Sequence, residues 1–179
     1  MAVTGHRKLP DPAATARDAE KALDLILASL PPAAMPGLRI IVLTALAEGA
    51  DRIVADRVLA RPRSRIEAIL PLPETEYCAD FTATSRADFA RLLGLADKVT
   101  EMPPAASRED AYDAAGRYLT DRADVIIAVW NGRRGAGKGG TADVVRYARQ
   151  ARRPMIWIPT DGRDLVAENL EGLASYGSG

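Results

Sequence analysis

Two apolar runs constrain this chain more than anything else in it. LRIIVLT (38–44) and DVIIAVW (124–130) are nearly continuous and rich in β-branched residues. A strand that reads this way is buried on both faces, which marks a parallel sheet with helices above and below. The stretches between such runs carry helical spacing. After a short strand, MAVT (1–4), Asp11-Pro12 opens a helix with a cap and a proline at the first position. Ala19, Leu23, Ile26 and Leu30 give that helix its buried face, and PPAAMPG (31–37) ends it. A helix through Ile53, Val54 and Val58 follows AEGAD (47–51), and RIEAILPLP (65–73) is a third strand. A short helix is expected over 74–80, and Ser85 with Asp88 reads as a capping box for a helix through Leu92 and Leu93. KVTEM (98–102) is a weak strand. Ser107 with Asp110 caps the next helix, whose apolar face is Ala111, Ala115, Tyr118 and Leu119. TADVVRYARQA (141–151) is helical, PMIWIP (154–159) is a strand, 163–174 reads as a weak amphipathic helix, and SYGSG as a tail. Strands alternating with helices predict an α/β domain of three layers, α/β/α, with a mainly parallel sheet. The domain is expected over 1–160, followed by a C-terminal extension over 161–179.

Composition narrows the function classes. The 24 basic and 24 acidic residues cancel, which argues against nonspecific nucleic-acid binding by phosphate neutralisation. His6 is the only histidine, so multi-histidine zinc sites are ruled out and a Ser-His-Asp triad would have to use it as base. Cys78 stands alone, so there is no disulfide framework and no cysteine metal cluster. No metal and no cofactor is expected. No apolar run reaches the ~18 residues of a membrane span, and MAVTGHRKLP lacks the apolar stretch of a signal peptide. A cytoplasmic protein is expected, with a small-molecule ligand and a homodimer among the possible assemblies. Twenty arginines against four lysines, with abundant alanine, fit a GC-rich, bacterial genome.

In parallel α/β folds, ligands sit at the carboxyl ends of the strands. Three loops there carry unusual residues: Thr4 to Arg7, Ala47 to Asp51, and Asn131 to Thr141. The last holds five glycines, at 132, 135, 137, 139 and 140, directly before a helix. Glycines let backbone amides approach a ligand, and the unpaired amides of a helix N-terminus favour an anion. Two nucleotide motifs fit this loop imperfectly. Gly132-x-x-x-x-Gly137-Lys138-Gly139 matches a P-loop except for the missing Ser/Thr that would ligate magnesium. Gly135-Ala-Gly137-Lys-Gly139-Gly140 matches the dinucleotide fingerprint, but Asn131 to Arg134 intervene where glycine should meet the strand end.

VTGHR, TALAEGADRIVAD, LPLPETEY, DRADVIIAVWNG and GKGGTADVVRYARQARRPMIWI together resemble the SLOG superfamily, which includes the Lonely Guy phosphoribohydrolases, the DNA-processing proteins and molybdenum-cofactor carrier-like proteins. The resemblance runs from Val3 to about Ile158. It implies a Rossmann-like sheet and a nucleotide or nucleotide-derived ligand, with phosphate on the amides of Gly139, Gly140 and Thr141 and on the Thr141 hydroxyl. DRADVIIAVW followed by GT also resembles nucleoside deoxyribosyltransferases. The enzymatic members of both groups carry a glutamate three residues after that threonine, as the carboxylate for glycosidic cleavage; here the position is Val144. The resemblance therefore implies binding, with N-glycosidic hydrolysis of a nucleoside monophosphate as the alternative.

The remaining candidates have two readings each. Glu48 is either the acid of any residual catalysis or a solvated loop charge, and Asp143 either a second acid or a favourable charge in a first helical turn. Asp51 reads as a helix cap or a ligand contact, and His6 and Arg7, after Gly5, as phosphate ligands or a surface turn. Gly49, Asn131 and Gly137 belong to the same loops, and Lys138 is either a flexible phosphate contact or a solvated loop lysine. Trp130 and Tyr77 are base-stacking or core aromatics. Arg133 and Arg134 are a lid or solvated charges.

Overall fold

The computed structural model describes residues 1–135 and 137–175. Of the expected tail, 176–179 lie outside the described residues, as does Ala136. The strands are β1 (Ala2–Gly5), β2 (Ile40–Thr44), β3 (Ser64–Leu70), β4 (Ala96–Glu101), β5 (Ile126–Trp130), β6 (Met155–Pro159) and β7 (Val166–Glu168). They form one sheet in the order β4-β3-β2-β1-β5-β6-β7. Every pairing is parallel except β6 with β7. The helices are α1 (Pro12–Ala28), α2 (Ala50–Leu59), α3 (Glu74–Cys78), α4 (Ala83–Gly94), α5 (Arg108–Arg122) and α6 (Thr141–Gln150). Short 3₁₀ turns span Pro32–Gly37 and Leu170–Ser175.

The sheet divides the core in two. Val3, Val42, Ile66, Ile127, Val129 and Ile156 pack with α1, α2 and α4. Ala2, Leu43, Ile126, Ala128 and Met155 pack with Leu119 of α5 and Val145 and Ala148 of α6. Alternate residues of β5 thus enter different layers, and all five are buried, as an apolar run in a doubly covered strand requires. Both runs singled out in the sequence are interior strands: β2 lies between β3 and β1, and β5 between β1 and β6. Among the described residues, no helix is long and apolar enough to cross a membrane.

Chain order reverses at β1, since β2, β3 and β4 extend one way and β5, β6 and β7 the other. The loops leaving β1 and β5 therefore diverge, and a crevice opens at the carboxyl ends of these strands.

Two elements differ from the sequence reading. The helix assigned to a Ser85 cap begins earlier, at Ala83, because Thr82 is extended and its hydroxyl accepts from the Ser85 N–H at 3.3 Å. The Ser85 hydroxyl serves Arg52 instead, accepting from Nη1 at 2.7 Å. The weak helix expected over 163–174 is replaced by β7 and a 3₁₀ turn. Arg149 of α6 clamps Glu168 of β7 by two bonds, at 3.0 and 2.6 Å, and β7 covers the edge that β6 would otherwise expose. Leu173 is buried in the α1–α2 core.

Interior and edge strands should respond differently to truncation. Ile127→Ala removes a fully buried side chain from β5 and should cost ~2–5 kcal/mol in urea denaturation. Val99→Ala, on edge strand β4 and 44% exposed, should stay within about 0.5 kcal/mol of the parent.

Candidate functional site

A cavity of about 470 Å³ occupies the crevice at the carboxyl ends of the central strands. Three loops build it. The β1 loop contributes Gly5, His6 and Arg7, the β2 loop Ala45, Ala47 and Asp51, and the β5 loop Trp130, Asn131, Arg133, Arg134, Gly135, Gly139, Gly140 and Thr141.

The first two loops meet without room for side chains. A Cβ on Gly5 would lie 2.3 Å from that of Ala50, and one on Gly49 would lie 2.3 Å from the Arg7 carbonyl oxygen. Gly49 also has φ +78°, a left-handed conformation that glycine adopts without strain. The Ala50 N–H then donates to the His6 carbonyl at 3.1 Å. Gly49 itself does not line the cavity; it seats the loop beneath it.

His6 ties β1 to β5. Its N–H donates to the Val129 carbonyl at 3.0 Å. Its ring Nε2 accepts from the Asn131 N–H at 3.1 Å, an arrangement suited to an imidazole with its proton on Nδ1. Arg7 donates to the Tyr112 hydroxyl at 3.2 Å, and that hydroxyl donates to Asp80 at 2.8 Å. Burial pushes the Asp80 carboxyl up, but bonds from Tyr112 and Arg108 outweigh it and hold Asp80 below its ordinary range.

Asp51 is not the cap of α2. Gly49 holds that position, and Asp51 lies in the first turn, only 4% exposed. Its Oδ2 accepts from the Thr44 hydroxyl at 3.0 Å and from the Ala47 N–H at 3.4 Å. Thr44 Oγ1 in turn accepts from the Leu46 N–H at 2.9 Å. These bonds hold a tight turn in which Leu46, fully buried, has φ +54°. Burial drives the Asp51 carboxyl up to about 6, against the opposing pull of Thr44, the Ala45 and Ala47 amides and Arg7.

On the β5 side, Trp130 is 8% exposed and lines the cavity. Its Nε1 donates to the Arg133 carbonyl at 2.9 Å, while Trp157 donates to the Trp130 carbonyl at 2.7 Å. Asn131 Oδ1 accepts from the Arg133 N–H at 3.0 Å. The backbone of this turn is pinned, while the side chains of Arg133 and Arg134 are exposed and lack a carboxylate partner among the described residues.

The end of the glycine loop is held from two sides. Lys138 pairs with Asp110 and lies 4.0 Å from Asp113, both on α5. Asp143 Oδ2 accepts from the Gly139 N–H at 2.9 Å, and its Oδ1 accepts from Arg146 at 2.5 Å. Gly140 is the N-cap of α6, with no side-chain bond to the helix end. The N–H groups of Thr141 and Ala142 fall in the first turn, where a helix has no acceptor of its own. Gly139, Gly140, Thr141 and Ala142 line the cavity.

The sequence candidates thus separate. Gly5, His6, Arg7, Asp51, Trp130, Asn131, Gly139, Gly140 and Thr141 converge on one cavity, whereas Glu48, Gly49, Gly137, Lys138 and Asp143 are not on its wall. The Glu48 charge acts on Arg52, on the α4 side of the turn. Asp143 faces a neighbouring groove with Arg146 and Arg149. Val144 does line the cavity, packed over Gly116. Tyr112 is a wall residue that sequence reasoning missed; it lies within α5 rather than in a strand-end loop, and nothing local marks it. Among the described residues, no group of three or more His, Cys, Asp or Glu could hold a metal ion. No protein-family model matches the chain, and no curated protein matches it.

The buried Asp51 should leave a signature in stability. Its folded carboxyl binds a proton more tightly than an unfolded one near 3.8. The folded state is therefore favoured at low pH, and this advantage is lost as pH rises through about 6. The full effect is on the order of 3 kcal/mol. Asp51→Asn keeps an acceptor for Thr44 and cannot ionise. In urea denaturation its stability relative to the parent should therefore rise between about pH 4.5 and about pH 7.5. An unchanged difference would remove Asp51 as the cause.

Proposed function

We propose that this protein binds a nucleotide or nucleotide-derived ligand, with a phosphate at Gly139–Thr141. One observation carries the reading: an α6 N-terminus without a side-chain cap borders the cavity beside Arg133 and Arg134, which have no carboxylate partner among the described residues. The Gly139 N–H is taken by Asp143, so the amides of Gly140 and Thr141, the helix dipole and the two arginines of the same cavity wall are what favour an anion here. Lys138 is spent on Asp110 and is not needed. The cavity falls within the ~300–1,000 Å³ usual for small-molecule ligands. The resemblance to the SLOG superfamily supports the same ligand class.

Binding is favoured over glycosidic cleavage. Cleavage passes through a cationic sugar that a carboxylate must stabilise. The wall position expected to supply it is Val144, Asp143 is engaged by Gly139 and Arg146, and Glu48 is off the wall. Asp51, a carboxyl on the wall, is the observation that keeps hydrolysis as a second reading.

Gly140→Leu separates binding from folding, because a Cβ there meets nothing within 4 Å. Calorimetry with AMP should give an affinity about tenfold or more weaker in a variant that folds normally. Unchanged affinity would move the phosphate elsewhere. The purified protein should release no base from nucleoside monophosphates. Turnover at ~1–10³ per second, abolished by Asp51→Asn, would establish the hydrolase instead.

A further inference from the structure

The cavity wall includes a tyrosine, Tyr77, that the phosphate reading leaves unused. Tyr77 comes from α3 and is fully buried, with its ring edge-on to Phe81 at 4.9 Å and Phe89 at 5.8 Å. Those contacts account for the ring and would serve a phenylalanine equally well. They do not account for Oη, which is buried without a hydrogen-bond partner among the described residues. A buried hydroxyl left unpaired costs stability. The groups that act on it electrostatically include Asp51, Tyr112 and Arg7, and these three line the cavity with Tyr77.

We propose that Tyr77 and Asp51 form a second subsite in this cavity, one that takes a neutral group carrying both a hydrogen-bond donor and an acceptor. The inference rests on the phosphate reading above and adds what the rest of the ligand must be. A tyrosine hydroxyl both donates and accepts, and a carboxylate accepts. An apolar group would leave the Tyr77 hydroxyl unpaired in a buried wall and offer nothing to the remaining acceptor capacity of Asp51. A second anion would meet Asp51, whose charge already lacks solvent. A sugar hydroxyl or the amide edge of a nucleobase satisfies both residues. The ligand is then a phosphorylated molecule with a polar head, held at two points, and inorganic phosphate alone occupies only one of them.

Calorimetry with inorganic phosphate, ribose 5-phosphate and AMP, on the parent and on Tyr77→Phe, tests this. Inorganic phosphate should bind both proteins equally. If the subsite takes a sugar hydroxyl, ribose 5-phosphate and AMP should both bind Tyr77→Phe about tenfold more weakly. If it takes a base edge, only AMP should. The free Tyr77→Phe protein should also melt roughly 2–4 °C above the parent, because the unpaired hydroxyl is gone. Equal affinities of parent and variant for all three ligands would overturn the subsite and leave the phosphate reading intact. A lower melting temperature together with weaker binding of inorganic phosphate would mark the hydroxyl as a structural group and also overturn the subsite. Failure of all three ligands to bind the parent would overturn both proposals.

Discussion

Close approach at the end of β1 is the constraint on which the cavity depends. Gly5 admits no Cβ between Ala50 and Val129, and Gly49 admits none beneath the Arg7 carbonyl. With those two positions bare, α2 starts directly against the β1 loop, and Ala50 bonds to His6. His6 then reaches Asn131 across the crevice. A side chain at either glycine would push α2 away and separate the walls. The parallel register of β1 with β5, from Ala2 opposite Ile126 to Gly5 opposite Val129, brings both loops out at the same height.

Charge in the crevice is sorted by partner. Most arginines and Lys138 are spent on structure: Arg52 on Leu46 and Ser85, Arg108 on Glu76 and Asp80, Arg149 on Glu168. Asp143 is likewise consumed by Gly139 and Arg146. Arg133 and Arg134 have no carboxylate partner among the described residues, because their loop is fixed through backbone groups and tryptophan N–H bonds instead. Charge neutrality of the whole chain therefore coexists with a locally cationic rim.

The sheet was legible in the sequence because its signals are local. Continuous apolar runs mark doubly buried strands, and Asp11 and Ser107 cap the helices expected of them. Where two local signals compete, the reading slipped: Thr82 and Ser85 are both good caps, and contact with Arg52 decides between them. The strand β7 was missed although Asp161-Gly162, a common turn pair, precedes it, because what fixes it is the distant Arg149. The site was legible as three loops but not as side-chain directions. Asp143 and Val144 are neighbours on one helix, and successive helical residues point about 100° apart. Val144, on the buried face of α6, meets the cavity, while the Asp143 carboxylate accepts from the Gly139 N–H, a contact that no spacing rule displays.

The chain has two tryptophans, and both lie at the same corner, rings 5.6 Å apart beside the β5 loop. Arg149 lies over both rings, and Trp130 is hydrogen-bonded to the Arg133 carbonyl. The intrinsic tryptophan fluorescence of the protein therefore originates entirely from this corner of the cavity rim. A change in the β5 loop alters the field and contacts felt by Trp130, so the protein carries its own optical reporter for whatever enters beside Arg133 and Arg134.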